Sequence, residues 1–143
     1  MGIRDIAKVG EEPVKNIMKS FLLACLMLVT CPAWAGWELV STDAVGDSYY
    51  MDPTTIRRNG NMRLVWGLTN LAVRDKDGEL SLRSRYEYDC IKERFRTISF
   101  STHSGPDASG VVLMTSSSND TFPWRDVPPG TVVSAIFKYV CAR

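Results

Sequence analysis

The sequence predicts an α+β domain, small and β-rich, in which short antiparallel strands precede a single C-terminal helix. Three observations carry that expectation. From Leu80 to Cys90 the residues alternate with the period of a strand that buries one face: Leu80, Leu82, Tyr86, Tyr88 and Cys90 on one side, Arg83, Arg85, Glu87 and Asp89 on the other. Turn-forming clusters at Asn59-Gly60-Asn61, Asp75-Lys76-Asp77-Gly78 and Ser104-Gly105-Pro106-Asp107 punctuate the apolar runs. Near the end, Val132, Ala135, Ile136, Tyr139 and Val140 recur at helical spacing, with Thr131 placed to cap them.

Taken in order, Trp37-Glu38-Leu39-Val40 alternates as a first strand, Ser41 to Asp47 is a turn-rich break, and Ser48-Tyr49-Tyr50-Met51 is a second strand that Asp52-Pro53 should stop. Met62 to Val73 reads as the longest strand, with Met62, Leu64, Trp66 and Leu68 on one face. After Leu80 to Cys90, Arg94 to His103 is its hairpin partner, and Val111 to Met114 forms a further short strand. Thr115 to Thr121 is a polar connection. Pro128-Pro129-Gly130 then introduces the helix, although the β-branched residues of Thr131 to Val140 also suit a last strand.

The chain begins with a segment of a different kind. Lys19 precedes an apolar run from Phe21 to Val29, and Ala33-Trp34-Ala35 supplies an A-x-A cleavage site, the pattern of an export signal peptide covering residues 1–35. The uncharged stretch from Ser20 to Trp37 contains Pro32 and lacks basic stop-transfer residues, which disfavours a membrane anchor. Met18 makes a better start for such a leader than the mixed-charge residues before it. The lipobox-like Leu22-Leu23-Ala24-Cys25 comes too soon after Lys19, and Thr30 is a poor neighbour for lipidation at Cys31. The mature domain therefore runs from Gly36 to Arg143 without a lipid.

Of four cysteines, Cys90 and Cys141 remain after cleavage, and two cysteines in an oxidising compartment are most simply one disulfide. Closing about 50 residues, it would stabilise the domain by roughly 4 kcal/mol in the chain-entropy account. A redox pair would want C-x-x-C spacing, and a zinc site two more ligands where the mature chain offers only His103.

The 17 basic and 16 acidic residues nearly balance, which argues against nucleic acid as a partner. His103 has Ser101, Ser104 and Asp107 near it in sequence, but no G-x-S-x-G elbow accompanies them, and a histidine at a strand end is the simpler reading. Asp52 reads as a turn cap beside Pro53. No phosphate loop, metal-ligand cluster or spaced carboxylate pair stands out, so no enzyme activity and no cofactor are expected. Trp37, Tyr50, Trp66, Tyr86, Tyr88 and Trp124 read as core. The parity of the strands gathers Arg83, Arg85, Arg94 and Arg96, with Arg63, on one solvent face. That face is either a candidate binding face for a polyanion or a solvated one neutralised by Glu87, Asp89 and Glu93.

Several short pieces, in order, resemble the surface-adhesin protein E family of small exported bacterial proteins, from about Trp37 to Cys141. They are Trp37, then Tyr49-Tyr50-Met51-Asp52-Pro53-Thr54-Thr55-Ile56 with Arg57-Arg58-Asn59-Gly60, and Val65-Trp66. Further on come Tyr86-Glu87-Tyr88-Asp89-Cys90 with Arg94 and Arg96, Trp124 before Val127-Pro128-Pro129-Gly130, and Cys141. The resemblance implies an antiparallel sheet of about six strands packed with a C-terminal helix, and a non-enzymatic adhesion role at the cell surface. The alternative is a periplasmic structural or envelope-stress protein without a host ligand. Compatible partners are an extracellular-matrix protein, another envelope protein, a polyanion or a second copy forming a homodimer, with membrane contact only through the cleaved leader.

Overall fold

The computed structural model describes residues 36–116 and 122–143. The leader, with Met18, Cys25, Cys31 and the cleavage site, lies outside the described residues, as does 117–121 of the polar connection. The alternating segments form β1 (Glu38–Thr42), β2 (Ser48–Asn59), β3 (Met62–Asn70), β4 (Ser81–Asp89), β5 (Arg94–His103), β6 (Val112–Thr115) and β7 (Arg125–Asp126), followed by α1 (Val132–Cys141). All pairings are antiparallel between neighbours in the order β1-β2-β3-β4-β5-β6, and β7 pairs with β5 below β6 on the same edge.

The ambiguous last segment is a helix. Thr131 adopts an extended backbone and its Oγ1 accepts from the Ser134 N–H at 3.2 Å, so one orphan donor of the first turn is satisfied. Val132, Ile136 and Val140 then share one stripe, which lies on the sheet; Ile136 and Val140 join Met51, Val65 and Tyr88 in the core. The β-branched residues cost little here because they face this packed surface. Cys90 and Cys141 form the expected disulfide, tying the end of β4 to the end of α1 across a sequence separation of 51.

The second and third strands differ from expectation. Asp52-Pro53 does not end β2, which becomes the longest strand at 12 residues. Its pairing with β3 shifts between Asp52 and Arg57, so Pro53 sits in a bulge where its missing N–H is not needed. Asp52 is a turn cap as read: its Oδ1 accepts from the Thr54 N–H at 2.9 Å and from the Thr54 hydroxyl at 2.6 Å. Strand β3 stops at Asn70, short of Val73.

The apolar side of β3 does not face the helix. Cross-strand pairs Trp66 with Arg85 and Leu68 with Arg83, so Leu64, Trp66 and Leu68 share the helix-distal face with the β4 arginines. Val65 and Gly67 point to the core instead. A Cβ on Gly67 would meet Met51 Cε at 2.8 Å and Tyr86 Cε2 at 2.9 Å, so neighbouring side chains fill the space that this glycine leaves.

The two sheet edges are unlike each other. β1 is covered by α1, where the Tyr139 hydroxyl and Arg143 reach Glu38. β6 is short, uncharged and open: Val112, Leu113 and Met114 are all exposed. Among the described residues, no helix is long and apolar enough to cross a membrane.

Candidate functional site: the helix-distal face

The register of β4 and β5 decides where the arginines go. Arg83 pairs with Ser101, Arg85 with Ser99, Glu87 with Arg96 and Asp89 with Arg94, with Ile98 absorbed in a bulge between Arg85 and Tyr86. Paired residues in a ladder share a face. The four predicted arginines therefore lie on one side of the sheet, opposite α1. Arg63 is the exception and corrects the sequence reading. It pairs with Tyr88, on the helix side, and its Nε donates to the Arg143 carbonyl at 3.0 Å.

The four divide into two pairs. Arg96 meets Glu87 at 2.6 Å and Arg94 meets Asp89 at 3.3 Å, and both guanidinium groups lie against the ring of Trp124, at 4.7 and 4.5 Å from its centre. Trp124 precedes β7, whose two residues pair with Arg94 and Phe95. One indole thus clamps two arginines whose charges are already matched by acids. The Asp89 carboxyl is held below its ordinary value by the Lys92 N–H and then by Arg94, against the opposing effect of burial.

Arg83 and Arg85 have no acid partner among the described residues. The Arg83 guanidinium lies 4.5 Å from the centre of the Trp66 ring, and Trp66 is the cross-strand partner of Arg85, so Arg83 leans toward the row that holds Arg85. The carboxylates that flank them are engaged elsewhere, Glu87 with Arg96 and Asp52 with Thr54.

His103 ends β5 on this same face. The residue is 8% exposed, Nε2 lies 2.9 Å from the Ser101 hydroxyl, and Nδ1 is buried with no hydrogen-bond partner among the described residues. A serine and a histidine are thus in contact, but among the described residues no carboxylate orients the ring. The loop after β5 folds back over this end. Asn70 and Asp107 exchange two hydrogen bonds, and the Ser81 hydroxyl joins the Gly105 carbonyl to the Ala108 N–H.

The aromatic residues read as core also divide. Tyr86 and Tyr88 pack under the helix as expected, Tyr88 being 2% exposed. Trp66, Tyr50 and Trp124 belong to the helix-distal face, because register and not composition assigns the side. No composition signal marks Trp124 as an arginine clamp, since its partners are distant in sequence.

A model of the family described as surface-adhesin protein E matches residues 37–142. The chain belongs to the surface-adhesin protein E family. Solved structures of Haemophilus influenzae protein E have the same fold. The crystal form II structure gives a TM-score of 0.56 at 14% identity, covering 76% of this chain and 88% of that one. The selenomethionine form gives 0.57 at 13% with the same coverages. The protein from non-typeable Haemophilus influenzae gives 0.53 at 14%, covering 76% of each chain. A comparison with curated proteins gives no match. At such identities the solved surface-adhesin protein E structures establish the fold, and the arginine face is read from this chain's own residues.

Proposed function

We propose that the mature chain, Gly36 to Arg143, is an exported, non-enzymatic binding module of adhesion type that meets an anionic partner with its helix-distal face. One observation carries the reading. Arg83 and Arg85, two positions apart on one face of β4, have no acid partner among the described residues and lie on a sheet face that α1 leaves open. Unpaired like charges on one sheet face suit an anion supplied from outside. Membership of a surface-adhesin family supports an exported location and an adhesion role.

The experiment is retention of the mature protein on immobilised heparin and on an extracellular-matrix protein, read across a salt gradient. Retention should weaken as salt rises, because exposed charge attractions are screened beyond about 8 Å at physiological ionic strength. Salt-independent retention, or none, would remove the reading. Intact mass of the exported species checks its first residue: a mass starting at Gly36 supports the leader assignment, and a lipid-modified cysteine overturns it.

A further inference from the structure

We infer that the anion seat is a quartet, Arg83, Arg85, Ser99 and Ser101, and that it takes a tetrahedral oxyanion ester, sulfate or phosphate, carried on a glycan. The inference rests on the binding reading above and narrows it.

The quartet is a two-by-two block on adjacent strands, Arg83 beside Ser101 and Arg85 beside Ser99, with all four side chains on the helix-distal face. Side chains so paired have Cβ atoms about 5 Å apart, within reach of one small ligand group. The stack of Arg83 on Trp66 fixes one guanidinium toward the row that holds Arg85. Arg94 and Arg96 are excluded from the seat because Asp89, Glu87 and Trp124 already occupy them.

His103 sets the polarity of the seat. Its Nδ1 is buried without a partner among the described residues, and an N–H orphaned in the interior is the rarer and costlier defect, so the ring hydrogen belongs on Nε2. There it donates to Ser101 Oγ, which leaves the Ser101 hydrogen free to turn toward the ligand. His103 is thus a positioning residue. Two guanidinium groups and two hydroxyls then present donors only. A carboxylate offers two oxygens to such a set, whereas a sulfate or phosphate ester offers three terminal oxygens and matches it better. A sugar ring carrying that ester can rest on the neighbouring shoulder of Trp66 and Tyr50, which continue the same face on β3 and β2.

The test uses the mature protein on three matrices: heparin, heparin stripped of sulfate but keeping its carboxylates, and a phosphomannan. Retention on heparin, on phosphomannan or on both, with loss on the desulfated matrix, supports the inference, and the two ester matrices tell sulfate from phosphate. Arg83→Gln with Arg85→Gln should lower affinity by about tenfold or more, while Arg94→Lys with Arg96→Lys, which keeps the charges, should change it by less than about twofold. Ser101→Ala should cost roughly threefold in affinity and also lower the melting temperature, because it leaves the His103 Nε2–H without its acceptor. His103→Gln, which can still donate to Ser101, should retain affinity where His103→Leu loses up to the same roughly threefold as Ser101→Ala; if His103→Leu does not fold, Ser101→Ala stands as the test of that arm. Equal retention on desulfated heparin, or equal losses from the two arginine pairs, overturns the quartet while leaving a general polyanion surface standing. Absence of retention on every matrix overturns both.

Discussion

Two arginine pairs sit on one face of one sheet, two strands supply them both, and their surroundings are opposite. Arg94 and Arg96 are neutralised by Asp89 and Glu87 and stacked against Trp124, with side chains only 31% and 32% exposed. Among the described residues, Arg83 and Arg85 have one aromatic contact, Arg83 on Trp66, and no acid partner. The same residue type thus fastens the lower part of the sheet and leaves the middle charged. A count of basic residues on a face does not measure its capacity to bind; the number left unpaired does.

The largest effect in stability should come from the covalent tie at the fastened end. Cys90→Ser and Cys141→Ser should each lower stability by up to about 4 kcal/mol, and the double variant by little more, because either change opens the same loop. Denaturant melts of the three variants check this, and additive losses would mean that the cysteines act separately.

Trp124→Ala comes next. It removes two cation–π contacts, each about 0.5–1 kcal/mol at a partly exposed site, so a loss of roughly 1–2 kcal/mol is expected with retention on heparin nearly intact. A Trp124→Ala protein that is fully stable but no longer retained would reverse the roles assigned to the two pairs.

Acid titration probes the clamp more gently. The Asp89 carboxyl is held below its ordinary value in the fold, so its contribution is present above the unfolded value near 3.9 and is lost as pH falls through the lower folded value. Melting temperature should therefore drop on going from about pH 5 to pH 2, and Asp89→Asn should flatten part of that drop.

The smallest effect on stability belongs to Arg83→Ser with Arg85→Ser, which together give up one cation–π contact and are expected to cost about 0.5–1 kcal/mol while salt-sensitive retention is lost. If this pair costs as much as Trp124→Ala, the contrast between the two regions fails.

Much of this was legible in the sequence, and the illegible parts have a common cause. The alternation of Leu80 to Cys90, the capped helix at Thr131 and the pairing of Cys90 with Cys141 are local or depend on simple counts, and the structure has each. The side taken by β3 was not legible. Met62, Leu64, Trp66 and Leu68 are the more apolar parity, yet they lie away from the helix, because Met51 and Tyr86 from flanking strands fill the core above Gly67. Arg63 moved to the helix side with that parity. Likewise, nothing near Asp52-Pro53 announces that a bulge will carry β2 past the proline, and nothing near Trp124 points to Arg94 and Arg96. These features are fixed by which strands become neighbours, and a strand's own pattern does not contain that information.

The disulfide also governs how the domain would respond to being pulled. Tension entering at β1 and leaving after α1 would run along the backbone as far as Cys90 and cross directly to Cys141, so the intervening strands and the helix would carry none of it. Extension would be confined to the part of the domain before Cys90. The quartet straddles that boundary, with Arg83 and Arg85 in the stretchable part and Ser99 and Ser101 in the shielded ring. An anion bridging the two would act as a rivet against shear between β4 and β5, and a ligand held there would be released once β4 began to slide.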